Sequence, residues 1–96
     1  MEVRSLEEVR DNIDRIDRSI ISLMAERGGF VQQAARFKTS RADVEAPKRV
    51  EQVVAKVRGL ATEAGLEPQV AEAAYRAMIA AFIEVEHLAL QARKDA

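Results

Sequence analysis

Two charged residues interrupt stretches of this sequence that are otherwise apolar on one face. Arg27 follows Ile20 by seven residues, and Glu86 follows Ile79 by seven and Phe82 by four. Residues at these intervals share one face of a helix, so both charges fall where a core is expected. A buried charge is costly unless it is paired or binds a ligand. The two positions therefore indicate either structural salt bridges or a site for a charged ligand.

Three further cations extend this set. Lys38 follows Arg27 by eleven residues, which is three turns and about 16 Å along a continuous helix, so the two side chains could grip one small anion. Arg10 precedes Arg27 by seventeen residues, roughly 25 Å along the same helix. Arg10 could therefore reach that anion only from a second, antiparallel chain. Arg49 would lie just after the start of the next helix, although Arg10 and Arg49 alone also suit a solvated flank.

The elements that must position these residues are helices. Ser5 and Glu8 have the spacing of a capping box. The apolar stripe from Leu6 to Phe37 keeps its phase, which predicts one long helix. A break at Gly28-Gly29, giving a helical hairpin, is the alternative because glycine is a poor helix former.

Two more helices are predicted after a polar loop at residues 39–46. Pro47 suits the first turn of a second helix, and Gly65 suits its end. Pro68 opens a third helix that runs past Leu90. The predicted inner face of the second helix consists of Val50, Val53, Val54, Val57, Leu60 and Ala61.

Composition limits the classes of function. Ninety-six residues predict a single domain over residues 1–96 with a modest core, so a polar pocket is expected between helices of more than one subunit. A net charge of −1 argues against nucleic-acid binding, and the lack of cysteine excludes disulfides and thiolate metal sites. Without a membrane-length apolar run or a signal-like N-terminus, the protein is expected to be cytoplasmic. His87 is expected at the surface or boundary, without a partner.

Several fragments resemble the small all-helical chorismate mutases, in order and with that family's spacing. They are residues 6–17 (LEEVRDNIDRID), 23–27 (LMAER) and 36–38 (RFK). Residues 37–40 (FKTS) followed by 46–50 (APKRV) are most similar to the isochorismate–pyruvate lyase branch. The resemblance covers nearly the whole chain.

The resemblance implies an all-α protomer of three helices (long, short, long) that forms an entwined homodimeric bundle. It implies catalysis without a cofactor or metal, with chorismate or isochorismate as the small-molecule partner. Docking to another pathway enzyme is a separate hypothesis that the sequence does not decide. Lys38 and Glu86 would act at the ether oxygen of the substrate. The substrate would be bound by Arg27, Arg49, Phe82 and, from the partner subunit, Arg10.

Two departures from the family pattern keep alternatives open. Glu86 stands where most bacterial relatives have Gln, although fungal relatives are similar in having Glu. Ala46 and Val50 replace carboxylates that contact the ring hydroxyl. The favoured hypothesis is chorismate mutase, and the alternative is a lyase that converts isochorismate to salicylate and pyruvate. An alternative of another class is a non-catalytic helical dimerisation module, in which the same charges form ordinary salt bridges.

Overall fold

The computed structural model describes residues 2–95 and contains four helices and no strand in that range. They are α1 (Leu6–Ala35), α2 (Arg41–Glu45), α3 (Pro47–Ala64) and α4 (Pro68–Asp95). The all-helical class and the predicted order of a long, a shorter and a long helix (α1, α3 and α4) are confirmed. No helix in the described range is long and apolar enough to cross a membrane. The chain divides into two compact units, one ending at Gln32 and the other beginning at Gln33.

The first helix runs without interruption through Gly28-Gly29, so the predicted continuity is confirmed and the hairpin alternative is wrong. At its start the Ser5 hydroxyl accepts a hydrogen bond from the Glu8 N–H at 3.1 Å, as a capping box requires. In a capping box the Glu8 carboxylate would accept from the backbone N–H of Ser5. Here it accepts from the N–H of Arg4 at 3.3 Å. The return bond is thus displaced by one residue.

Helix α1 ends at Ala35, earlier than the apolar stripe to Phe37 predicts. Beyond Ala35 the N–H groups of Arg36, Phe37 and Lys38 each bond the carbonyl three residues earlier, at 3.0–3.2 Å, which is the tight geometry of a closing turn. Lys38 therefore follows the helix. The expected three-turn spacing from Arg27 to Lys38 along one continuous helix is wrong.

The apolar stripe of α1 is not covered within a single chain. Its larger side chains are between 43% and 65% exposed: Leu6, Ile13, Ile16, Ile20, Leu23 and Phe30. An amphipathic helix of this length normally buries such a stripe against other helices. The exposed stripe is an apolar surface in need of a partner.

The segment predicted as a loop contains the short helix α2. Its N-cap is Ser40, whose hydroxyl accepts from the Asp43 N–H at 3.1 Å. Asp43 in turn accepts from the backbone N–H and the hydroxyl of Thr39, at 3.2 and 3.3 Å. The loop prediction was wrong here because this capping pair stabilises a turn of helix that has no apolar periodicity. Ala46, in the left-handed conformation at φ 36°, separates α2 from α3.

The core of the second unit lies between α3 and α4. It consists of Val53, Val57, Ala61 and Ala71, with Tyr75 and Ile79 packed against them. The predicted burial of Val53, Val54, Val57 and Ala61 is confirmed, whereas Val50 is half-buried. Gly65 closes α3 in the left-handed conformation as expected. Leu60 was placed wrongly, since its side chain is half exposed in this chain.

Ion pairs reinforce the same α3–α4 contact on its exposed side. Glu72 accepts from Arg58 at 2.8 Å and from Arg76 at 2.7 Å. Arg76 also forms two parallel bonds to Glu51, both at 2.9 Å. A bidentate pair of this kind has a fixed geometry, so Arg76 links one turn of α3 to one turn of α4.

Replacing Arg76 with alanine is expected to lower the melting temperature by a few degrees near neutral pH and by less in acid. Hydrogen bonds from Arg76 lower the pKa of both Glu51 and Glu72 below the ordinary 4.5. A lowered carboxyl pKa in the folded state contributes stability above the unfolded pKa, and this is lost as pH falls through the folded pKa. The melting temperatures of Arg76→Ala and wild type should therefore converge as the pH falls through the lowered pKa of these two carboxyl groups. Lys56→Ala, which removes an exposed α3 charge outside these bonds, is the control. A difference that is equal at pH 7 and pH 3 would contradict the prediction.

Candidate active site

The centre of the site is an ion pair between residues that are far apart in sequence. The ammonium nitrogen of Lys38 lies 2.9 Å from Oε2 of Glu86. Glu86 is buried, with 6% of its side chain exposed, whereas Lys38 is 25% exposed. The burial expected for position 86 is thus found. Its charge is matched by a lysine that remains accessible from outside.

This pair leaves chemical capacity for a ligand. A lysine ammonium has three N–H donors, of which one is donated to Glu86. The remaining donors and the positive charge suit an anionic or ether oxygen. A carboxyl group donates a hydrogen bond only when protonated, so Glu86 in its ionised form orients Lys38, whereas in its protonated form it could itself donate to a ligand. A buried ion pair contributes little net stability, which makes its structural role alone a weak reason for its presence.

The backbone around Lys38 is also fixed. The Lys38 N–H donates to the carbonyl of Ala35 at 3.1 Å, and the Lys38 carbonyl accepts from Nη2 of Arg93 at 2.9 Å. Thr39, the next residue, is bonded to the carboxyl group of Asp43. The Thr39 N–H lowers the pKa of Asp43, the Thr39 hydroxyl and Ser40 lower it further, and desolvation raises it. Asp43 is therefore ionised at neutral pH and holds the segment after Lys38.

Helix α2 is attached to α4 next to Glu86. Val44 is buried, and Nε2 of His87 lies 3.5 Å from Oε2 of Glu45. The expectation that His87 has no partner is therefore wrong, although its mostly buried position at the edge of α4 fits a boundary residue. Its Nδ1 atom is buried without a hydrogen bond in the structure. The Lys38–Glu45 segment is thus held to α4 near both of its ends.

The other predicted ligand residues lie on three helices. Arg49 is exposed on the first turn of α3, and Phe82 is half-buried on α4, one turn before Glu86. Both belong to the same compact unit as Lys38. Arg10 is exposed and Arg27 half-buried on α1, in the other unit. Lys38 and Glu86 are joined directly, and the substrate contacts of all six residues stay predictions.

Sequence reasoning missed two residues that support Lys38. Asp43 could have been found, because Ser40 and Asp43 are spaced like an N-cap and its third residue. Arg93 follows Glu86 by seven residues, which indicates the same face of α4. Nothing in the sequence pairs Arg93 with a carbonyl 55 residues away.

The comparisons with known proteins identify the family of the chain. Residues 9–87 match the family model described as chorismate mutase type II, and all six predicted site residues lie in that segment. An isochorismate pyruvate lyase from Pseudomonas aeruginosa is 35% identical over 74 residues, which cover 77% of this chain and 73% of the lyase. The resemblance seen in the sequence is confirmed: the chain belongs to the chorismate mutase type II family.

Proposed function

We propose that the protein is an enzyme that rearranges chorismate to prephenate. The observation that carries this proposal is the accessible Lys38 held by the buried Glu86 within a chain of this family. In the rearrangement, the ether C–O bond breaks while a C–C bond forms in the same molecule. Partial negative charge gathers on the ether oxygen, and no nucleophile or external proton is consumed. Catalysis therefore needs positioning and electrostatic stabilisation.

The predicted residues divide these tasks. Lys38 donates to the ether oxygen and contacts a carboxylate, and Glu86 keeps its ammonium in place or donates when protonated. Arg27 and Arg49 bind the two substrate carboxylates, and Phe82 packs against the substrate. Even a million-fold acceleration needs roughly 8 kcal/mol, a load that several preorganised charged contacts can carry.

Arg10 completes the site from a second copy of the chain. The exposed apolar stripe of α1 supports such a dimer, since a second α1 would cover it. Arg10 is itself on α1 and is exposed, so an antiparallel α1 from a second chain can bring it toward the other end of the helix. Sedimentation should give the mass of two chains. Cytoplasmic location and docking to another pathway enzyme stay predictions.

A second candidate is an isochorismate–pyruvate lyase. It is favoured by the 35% identical relative of that name and by the absence of carboxylates at Ala46 and Val50. In this reaction the same ether C–O bond breaks while a ring hydrogen moves to the enolpyruvyl carbon, and pyruvate and salicylate are released. The same cations would hold this substrate, and the missing carboxylates fit a ring hydroxyl at another position.

Product analysis with each substrate supplied separately tests the two activities. Prephenate from chorismate, at a higher kcat/KM than any turnover of isochorismate, is expected. Salicylate and pyruvate formed from isochorismate at the higher kcat/KM would instead establish the lyase. A ligand that binds only the folded protein stabilises it, by about 2.7 kcal/mol at a hundred times its Kd. If neither substrate is turned over and neither raises the melting temperature, the result would favour the non-catalytic dimerisation module.

A further inference from the structure

The last turn of α4 makes a contact with the backbone of the proposed catalytic lysine. Nη2 of Arg93 donates to the Lys38 carbonyl at 2.9 Å. Arg93 lies outside residues 9–87, the segment that matches the family model, and the reaction as derived above does not use it. Its neighbour Lys94 carries the same charge in the same turn.

Glu86 and Arg93 hold Lys38 from one helix in complementary ways. They are seven residues apart on α4, which is two turns and about 10 Å along the axis. Glu86 accepts from the Lys38 ammonium, and Arg93 donates to the Lys38 carbonyl. The Lys38 N–H donates to the Ala35 carbonyl, so both backbone groups of Lys38 have a partner, and its ammonium keeps donors for a ligand.

We infer that Arg93 is a positioning residue: by fixing the Lys38 carbonyl, it sets where the Lys38 ammonium meets the substrate. The inference rests on the proposed function. Lys38 follows the end of α1 and precedes α2, so its backbone is not fixed by a helix of its own. Without the Arg93 bond, the flexible four-carbon side chain would extend from a less restrained backbone and sample more positions. A displacement of about 1 Å can cost roughly a hundredfold in rate.

Two other roles for Arg93 are possible, and they make different predictions. A guanidinium that binds substrate directly would act whether or not Lys38 is present. A guanidinium that only stabilises the fold would change the melting temperature and leave its kinetic effect independent of Lys38. A positioning residue acts through Lys38 alone. Its kinetic effect must vanish when the Lys38 ammonium is removed.

The test is a double-mutant cycle with Arg93→Ala and Lys38→Met, with kcat/KM measured on chorismate and on isochorismate. Lys94→Ala is the matched control, since it removes the same charge from the same turn. Arg93→Ala should lower kcat/KM about tenfold, whereas Lys94→Ala should lower it less than about twofold. Arg93→Lys should be more active than Arg93→Ala because it keeps a donor. In the Lys38→Met background, Arg93→Ala should change kcat/KM by less than about twofold.

Hydrogen exchange of a peptide spanning residues 36–43 gives a second measurement that does not depend on activity. Exchange there should be several-fold faster in Arg93→Ala than in Lys94→Ala. Unchanged exchange, wild-type kcat/KM, or a loss that persists in the Lys38→Met background would each overturn the inference. A wild type that turns over neither substrate would refute the proposed function. Exchange would still show whether Arg93 fixes the segment, but its catalytic role would fall with that function.

Discussion

Replacing Lys38 with alanine is expected to lower kcat/KM about a thousandfold, which corresponds to about 4 kcal/mol of transition-state stabilisation. The Lys38 ammonium lies 2.9 Å from the buried Glu86, and the breaking C–O bond leaves negative charge on the ether oxygen. Loss of one preorganised neutral donor costs about a hundred- to a thousandfold in comparable sites. Loss of a charged donor should lie at the upper end of that range. Steady-state kinetics on the preferred substrate measures the effect.

The control for this prediction must separate chemistry from folding. Alanine leaves the Glu86 carboxylate without its partner, and an unpaired buried polar group destabilises the fold. Lys38→Met keeps the aliphatic stem and removes only the charge, so both variants should lose activity to a similar extent. Lys56→Ala should retain wild-type kinetics. Activity within tenfold of wild type in Lys38→Met, at a temperature where the protein is folded, would contradict the assigned role.

The same lysine variant tests whether two chains share a site. If Lys38 acts in its own chain and Arg10 in the other, a mixed dimer of Lys38→Ala and Arg10→Ala carries one complete site and one doubly defective site. Half of the dimers in an equal, fully exchanged mixture are mixed, so about one quarter of wild-type activity should return from two nearly inactive proteins. No recovery after subunit exchange would show that Arg10 and Lys38 do not meet across chains.

The positions of the helices follow from local signals that the sequence contains. Pro47, Gly65 and Pro68 begin or end helices where their backbone preferences predict. Val53, Val54 and Val57 of α3 are buried because they repeat at helical spacing. The stripe of α1 has the same spacing but is exposed in one chain. Periodicity thus identifies the apolar face of a helix and leaves open what covers it.

The site was harder to predict because its contacts join distant residues. Glu86 could be singled out as a charge on an apolar face, and it is buried. Its distance to Lys38 could not be predicted from the spacing along α1, since that helix ends at Ala35 and the lysine lies in the turn beyond. Lys38 lies beside Glu86 because residues 38–45 are attached to α4. Those contacts join residues that are separated in sequence by about half of the chain.

Glu86 is expected to give opposite results with two substitutions. Alanine removes both the partner of Lys38 and any donor at position 86, so Glu86→Ala should lower kcat/KM about a hundredfold. Glutamine keeps an oxygen that accepts from Lys38 and adds an N–H that donates at every pH. Glu86→Gln should therefore be at least as active as wild type at neutral pH. Circular dichroism and melting temperature check that both variants are folded.

The glutamine variant then separates the two roles of the residue at position 86. If that residue must donate to the ether oxygen, glutamine supplies the donor permanently, so Glu86→Gln should at least match the wild-type kcat/KM. If Glu86 serves only to orient Lys38, glutamine should lower kcat/KM, because a neutral oxygen accepts more weakly than a carboxylate from the ammonium. The ether oxygen would then be stabilised by the ammonium alone.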